Sequence, residues 1–308
     1  MDQARSWNEY WLGDDAVSAT QRASELFRGL WREWLTDVFS NNSNARLLDA
    51  ACGAGAVTHE AIAVAEAMKA RPDIVCVDIA PAAVAKLADL PVTALAADAS
   101  DLPFEPGEFD ALVSQFGVEY AGVEAVSSLG RLLAPSGRVL IIAHMTDGAI
   151  AQECADNAKM LQTLIDTDII RKVSDVYTAL VTTTDAVDAE VEVFREAAAT
   201  CGAAAQARAC PASDFAVRLF ADCSQVLNNH QAYNRDDMRV WFEGQTGAIE
   251  AYAARMNDML KAALSESQAQ KVIADWRELG LEQCSVTPMT LEGETEPTAW
   301  RFEALRPA

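Results

Sequence analysis

The sequence predicts an α/β fold: a doubly wound, mostly parallel seven-stranded sheet with one antiparallel strand, plus a helical insertion between strands five and six. Three observations predict it. Between residues 46 and 144 short β-rich runs alternate with helix-compatible stretches, a spacing that builds right-handed βαβ units and a parallel sheet. Two further strand-like runs close the chain with only a short acidic turn between them, which is a hairpin and not a crossover. The segment from 147 to about 280, rich in Ala, Asp, Glu, Leu and Met at helical periodicity, is far too long for a simple connection.

Taken in order, residues 1–45 are expected to form an N-terminal helical lid, in which "WNEYW" sets Trp7, Tyr10 and Trp11 at helical spacing on nearly one face. The core, 46–146, has strands at "RLLDAA" (46–51), "DIVCVDIA" (73–80), "VTALAAD" (92–98), "FDALVSQF" (109–116) and "GRVLIIAH" (137–144). Helices are expected between them at 56–70, 81–90 and 122–135. The insertion, 147–280, is expected to cap the sheet, with helical stretches such as "AQECADNAKMLQTLIDTDIIRKV", and to return the chain through "SQAQKVIADWRELG". Residues 281–308 complete the sheet with "LEQCSVTPM" (281–289) and "TAWRFEALRP" (298–307).

Composition narrows the function classes. Asp and Glu outnumber Lys and Arg by 46 to 24, for a formal charge of −22, and a surface of that sign repels phosphate backbones, so nucleic acid is excluded as a partner. No run approaches the roughly 18 apolar residues of a membrane span. The first residues, "MDQARSWNEYW", also lack the basic-then-apolar pattern of a secretory signal. A soluble, cytoplasmic protein is expected. The seven cysteines are odd in number, scattered and never in a CxxC pair, so they are expected as reduced thiols packing as small hydrophobes, with no metal site.

The chemistry centres on "LLDAACGAGAVT", residues 47–58. Gly53 and Gly55 bare the backbone after the first strand, where N–H groups and a helix N-terminus meet a ligand. Ala56, Val57 and Thr58 follow in place of the third glycine of a dinucleotide fingerprint, so the neighbours decide. Asp49, at the strand end, would repel a phosphate and suits a cationic ligand. Asp78 ends the second strand, 23 residues after Gly55, near the roughly 20-residue interval at which an acid accepts from ribose hydroxyls. Asp98, ending the third strand, is positioned to accept from an exocyclic adenine amine. Ribose, adenine and a cationic tail together describe S-adenosylmethionine.

Residues 46–144 resemble the core of the class I S-adenosylmethionine-dependent methyltransferases. "LLDAACGAGAVT" is similar to their first motif, "VCVDIA" to the second, "AADASDLPFEPGEFDALVSQFGVEYA" to the third and fourth, and "LGRLLAPSGRVLIIAH" to the elements that follow. "TAWRFEALRP" resembles the family's closing strand. The resemblance implies S-adenosylmethionine as cofactor, with Asp49, Ala51, Cys52, Gly53 and Gly55 at its methionyl end and Asp78 at its ribose. It places Ile79 on the adenine, Asp98 and Ala99 at the adenine edge, and Gln115 beside the methionine portion. In similar enzymes a leading helix folds over the cofactor, which gives Tyr10 and Trp11 a closing role; core packing is the alternative for them and for Trp7, Trp31 and Trp34.

On the acceptor side, His144 is the expected base or substrate contact, with Trp7, Glu119, Tyr120 and His230 of "VLNNHQAYN" as further contacts; His59 is expected to be structural. Ser114-Gln115-Phe116-Gly117 stands where enzymes that methylate nucleobase amines resemble one another in an Asp or Asn before two prolines. It also lacks the clustered oxygen ligands of magnesium-dependent catechol enzymes. Thiol-based arsenic methylation would need Cys201, Cys210 and Cys223 to converge. The expectation is methyl transfer to N, O or S of a small metabolite by in-line displacement. The alternatives are a noncatalytic cofactor-binding protein, its insertion stripes making a homodimer surface, and an NAD-dependent oxidoreductase.

Overall fold

Unbroken apolar runs demand cover on both faces of a sheet, because side chains alternate across each strand. The computed structural model, which describes residues 3–182, 185–291 and 295–308, supplies that cover. Its strands are β1 (Arg46–Ala50), β2 (Asp73–Asp78), β3 (Thr93–Ala96), β4 (Phe109–Gln115), β5 (Leu133–His144), β6 (Glu282–Met289) and β7 (Ala299–Leu305). They form one seven-stranded sheet of order β3-β2-β1-β4-β5-β7-β6. β7 runs antiparallel to both neighbours and is the reversed strand. Between β1 and β4 the order switches direction, which opens a crevice at the carboxyl ends of these strands.

The chain divides into two compact units, Met1–Ile150 with Ala262–Ala308, and Ala151–Lys261. Helices of the first are α1 (Gln3–Leu12), α2 (Asp14–Asn41), α3 (Ala56–Met68), α4 (Pro81–Ala85) and α5 (Val123–Leu129). The chain then enters α6 (Ala149–Asp166), α7 (Ile169–Thr182), α8 (Val187–Ala207), α9 (Pro211–Asn228) and α10 (Arg235–Ala262), and returns through α11 (Glu266–Glu278).

Alternation sorts the sheet's side chains into two layers. Leu48, Val75, Leu112, Val139 and Ile141 pack with Val126 and Leu129 of α5 and Trp276 of α11. Their neighbours Leu47, Ile74, Cys76, Val113, Leu140 and Ile142 pack with Trp31, Leu35 and Phe39 of α2 and Val57 and Ala61 of α3. Trp31 and Trp276 are wholly buried, and truncating such an indole to Ala costs about 3–5 kcal/mol. The buried Glu60 carboxylate ties α3 to α2 by accepting from Arg28 and Arg32, at 3.0 and 2.9 Å. At the start of α11, Ser265 and Gln268 cap one another reciprocally.

Some expected bounds shift, each for a local reason. The helix expected at 81–90 stops at Ala85, because Pro91 disfavours helical backbone at Leu90 and Leu87 turns in to become buried against Gly55. The one expected at 122–135 gives way at Gly130 to a single tighter turn beneath Trp276, and β5 begins at Leu133 with a register shift against β4. The helical stretch expected over 151–173 breaks between α6 and α7, where Asp168 takes a left-handed φ of 50°. Residues 292–294 of the expected acidic turn lie outside the described residues.

The second unit has its own core, with Met160, Leu161 and Leu164 of α6, Val173 and Tyr177 of α7, Leu219 of α9 and Phe242 and Ile249 of α10. Buried Asn157 accepts from the backbone N–H of Ala212 at 2.9 Å, satisfying an early donor of α9. Cys154, Cys201, Cys210 and Cys223 are buried free thiols; desolvation pushes Cys154 and Cys223 up to about 12, which leaves them little thiolate character. Among the described residues no helix is long and apolar enough to cross a membrane. Nor do three or more His, Cys, Asp or Glu come together there as a metal-ion site.

Candidate active site

A carboxylate near the end of a strand can start the helix that follows it. Asp49 does this: its Oδ2 accepts from the backbone N–H of Thr58 at 3.1 Å and from the Thr58 hydroxyl at 2.6 Å, taking one of the donors that the first turn of α3 leaves open. The sequence assigns Asp49 to a cationic ligand end. The structure turns it to Thr58, 1% exposed, and leaves it off the cavity wall. Burial, reinforced weakly by the Asp78 charge and opposed by the Thr58 bonds, pushes its carboxyl up to about 7. Gly55 is also off the wall. At a left-handed φ of 83° it makes room for Leu87, whose Cδ2 would lie 2.8 Å from an added Cβ.

Beyond the strand tips lies a cavity of about 450 Å³, within the usual size for a small-molecule site. From the first turn it is lined by Ala51, Cys52 and Gly53. Gly53 takes a left-handed φ of 55°, and an added Cβ would fall 2.6 Å from Cζ2 of Trp11. The bare backbone therefore admits an indole as well as a ligand. Cys52 is held well above the ordinary thiol range by its hydrogen bond with Cys76 and by burial, so it is a poor nucleophile.

From the second strand come Asp78 and Ile79. Asp78 is 7% exposed; its Oδ2 accepts from Gly53 N at 2.8 Å and its Oδ1 from Ala80 N at 2.9 Å. One side chain thus fixes both tips beside the cavity. Burial raises its carboxyl above the usual range, against the pull of these two donors. Asp98 and Ala99 follow the third strand and line the same cavity; Ser100 N and its hydroxyl both donate to Oδ1 of Asp98. Gln115 ends β4, and the indole N–H of Trp31 donates to its Oε1. An indole is a donor only, so this bond sets the amide's orientation and commits the oxygen to Trp31.

The far wall is aromatic. Trp7, Tyr10 and Trp11 of α1 line it with Phe116, Tyr120 and His144. Trp7 meets Tyr120 edge-on, centroids 4.9 Å apart, and Asn8 Oδ1 accepts from Ala82 N at 2.9 Å, which docks α1 on the start of α4. His144 lies 4.4 Å from Phe116, centroid to centroid. Glu119 does not reach the cavity. It sits in the tight turn Val118–Ala121, 1% exposed, where its Oε1 accepts from His144 N at 3.0 Å and pairs with His144 Nδ1 at 2.7 Å. His230 belongs to the second unit, where its Nδ1–H donates to the Leu227 carbonyl at 2.9 Å.

Phe116 and Gly117 line the cavity without having been singled out as site residues. An added Cβ at Gly117 would lie 2.5 Å from the Ala51 carbonyl oxygen, so the tips of β1 and β4 touch through it. Ala51 and Phe116 both take left-handed φ values of 53°, a conformation that costs non-glycine residues energy and collects at functional sites. A glycine directly after an apolar strand was the one sequence signal for this contact.

This donor and acceptor set suits S-adenosylmethionine. Two carboxylates, Asp78 and Asp98, and a turn bared by Gly53 line the cavity, and no Lys or Arg does so among the described residues. A family model described as a methyltransferase domain matches residues 47–137. Among solved structures, the cyclase SpnF is 23% identical over 38% of this chain and 45% of its own, with a TM-score of 0.33. An S-adenosylmethionine-dependent methyltransferase from Mesorhizobium loti is 18% identical over 33% of this chain and 48% of its own, TM-score 0.30. A Methanococcus maripaludis protein assigned as an S-adenosyl-L-methionine-dependent methyltransferase aligns over 95% of this chain and 92% of its own, at 11% identity and a TM-score of 0.42. The chain spans about half the length of the first two. No curated protein matches it. A methyltransferase domain is thus matched from β1 into β5, on a sheet whose single reversed strand lies last but one along its edge.

Proposed function

We propose that the protein transfers the methyl group of S-adenosylmethionine to a nitrogen, oxygen or sulfur of a small molecule. The observation that carries this reading is one cavity shared by the carboxylates of Asp78 and Asp98 and the imidazole of His144. In it Asp78 holds the ribose, Ile79, Asp98 and Ala99 the adenine, and Ala51, Cys52, Gly53 and Gln115 the methionyl portion. Tyr10 and Trp11 close the site, and Trp7, Tyr120 and His144 face the acceptor. Asp49 and Gly55 shape the turn.

A bound sulfonium supplies an already activated methyl group. The chain's residues then contribute alignment and water exclusion, effects that reach roughly 7–11 kcal/mol where the geometry is ideal. His144 takes the acceptor's proton. With a net charge of −22, the partner in this reading is a neutral or cationic metabolite and not a nucleic acid. The free thiols accord with a cytoplasmic location.

Incubation with methyl-labelled S-adenosylmethionine and a metabolite extract tests the activity, with labelled small molecules as the expected product. Cofactor binding without any methylated product would favour the noncatalytic alternative, and nicotinamide binding would favour an oxidoreductase. Asp78→Ala is expected to weaken S-adenosylhomocysteine by about 1–3 kcal/mol, roughly 5- to 150-fold, through loss of charge-assisted bonds. Calorimetry reads this directly, and unchanged affinity would refute the ribose role.

A further inference from the structure

Glu119 and His144 stand 25 residues apart in sequence and meet at the tips of adjacent strands. Both hydrogen bonds between them fall on one carboxylate oxygen: the backbone N–H of His144 donates to Oε1 at 3.0 Å, and Nδ1 lies 2.7 Å from the same atom. The other oxygen, Oε2, is buried and takes no hydrogen bond among the described residues. No Lys or Arg side chain pairs with this carboxylate among the described residues; the ring of His144 is the side chain that meets it. The glutamate is held from behind, since Val118 N donates to the Ser114 hydroxyl oxygen at 3.2 Å and Gly122 N to the Glu119 carbonyl at 3.0 Å. Phe116 and the edge of Tyr120 confine the ring of His144 from two further sides.

We infer that Glu119 is a positioning residue which fixes His144 with its proton on Nδ1, and that the acceptor is therefore an alcohol, a phenol, a thiol or an amine still holding its proton. This rests on the methyl-transfer reading above. A carboxylate oxygen facing a ring nitrogen selects the Nδ1–H form, which leaves an electron pair on Nε2. Nδ1 is turned to buried Glu119, so the ring meets the cavity it lines by its other edge. In the reaction the acceptor's lone pair forms the bond to the methyl carbon, the C–S electron pair goes to sulfur, and the acceptor's proton goes to Nε2. That transfer turns a buried carboxylate facing a neutral ring into a contact ion pair, relieving an uncompensated buried charge at the moment the acceptor becomes a nucleophile. A thioether acceptor has no proton to give and would gain nothing from the arrangement.

Histidine labelled with 15N gives a direct test, because the chain has 3 histidines and His144→Gln assigns the signals by their loss. In the full-length protein, with and without S-adenosylhomocysteine, neutral His144 is expected to show a pyrrole-type Nδ1 and a pyridine-type Nε2. Glu119→Gln should keep that pattern, since its amide oxygen accepts from the same two N–H groups, whereas Glu119→Ala should lose it. A pyrrole-type Nε2 in the wild type overturns the proposal even if Glu119→Ala fails to fold, and so does an unchanged pattern in folded Glu119→Ala. The spectra need neither acceptor nor turnover. The expected pattern in a protein that yields no methylated product would sink the proposed activity and leave the pairing intact; a sulfonium product, formed by methylating a thioether, would sink the acceptor class alone.

Discussion

His144→Gln is expected to lower turnover roughly 10²- to 10⁴-fold, the usual contribution of a positioned acid or base, while affinity for S-adenosylhomocysteine stays within about 2-fold, well under 1 kcal/mol. The separation follows from where the side chain sits. His144 ends β5 on the aromatic wall, apart from the Asp78 carboxylate that anchors the cofactor in the proposed reading. Glutamine is the informative replacement because its backbone N–H still reaches Glu119 and its amide can donate to the same oxygen, which protects the buried carboxylate from losing its partners. What it cannot do is take up a proton. Initial rates with the acceptor found in the product screen, set beside calorimetry with S-adenosylhomocysteine, separate the two effects. An unaltered rate would remove His144 as the base, and a parallel loss of cofactor affinity would make it a binding residue instead.

The sheet was legible in the sequence because each strand is an apolar run that stops abruptly, and the stops are where Asp78, Asp98, Gln115 and His144 stand. Parallel pairing of the first five strands then brings their carboxyl ends to one edge without further information. What was not legible is which way a strand-end carboxylate turns. Asp78 ends β2, whereas Asp49 stands one residue short of the end of β1, opposite Cys76; Asp49 is taken by Thr58, 9 residues on, and Asp78 by the backbone of Gly53. Neither partner is announced by a local pattern. Glu119 was expected to face an acceptor and faces His144, because the residues after β4 close into a tight turn that propensity does not distinguish from a loop. Leu87 ends a helix early for the same kind of reason, a tertiary contact with Gly55 overriding a helical run of small residues.

Asp49→Asn is expected to stabilise the fold at pH 8 and to flatten its pH dependence. In the folded chain the Asp49 carboxyl is pushed from its ordinary 3.8 to about 7, chiefly by burial. Because the folded value is the higher one, the native state binds the proton more tightly than the unfolded chain. Stability is therefore greatest below about pH 4 for this group and is lost as pH rises through 7. Over that interval the linkage amounts to roughly 4 kcal/mol, an upper bound because the unfolded chain also screens and compacts. Asparagine keeps an acceptor for Thr58 N and the Thr58 hydroxyl at nearly the same shape, and removes the buried charge. Thermal unfolding of both proteins from pH 4 to pH 8 should give curves that lie close at the acid end and separate toward pH 8, the variant melting higher. Above pH 7 the comparison also isolates the role of the charge itself: if Asn at 49 melted lower than Asp there, the carboxylate would be stabilised by a partner beyond Thr58, and its assignment as a helix-starting residue off the cavity wall would fail.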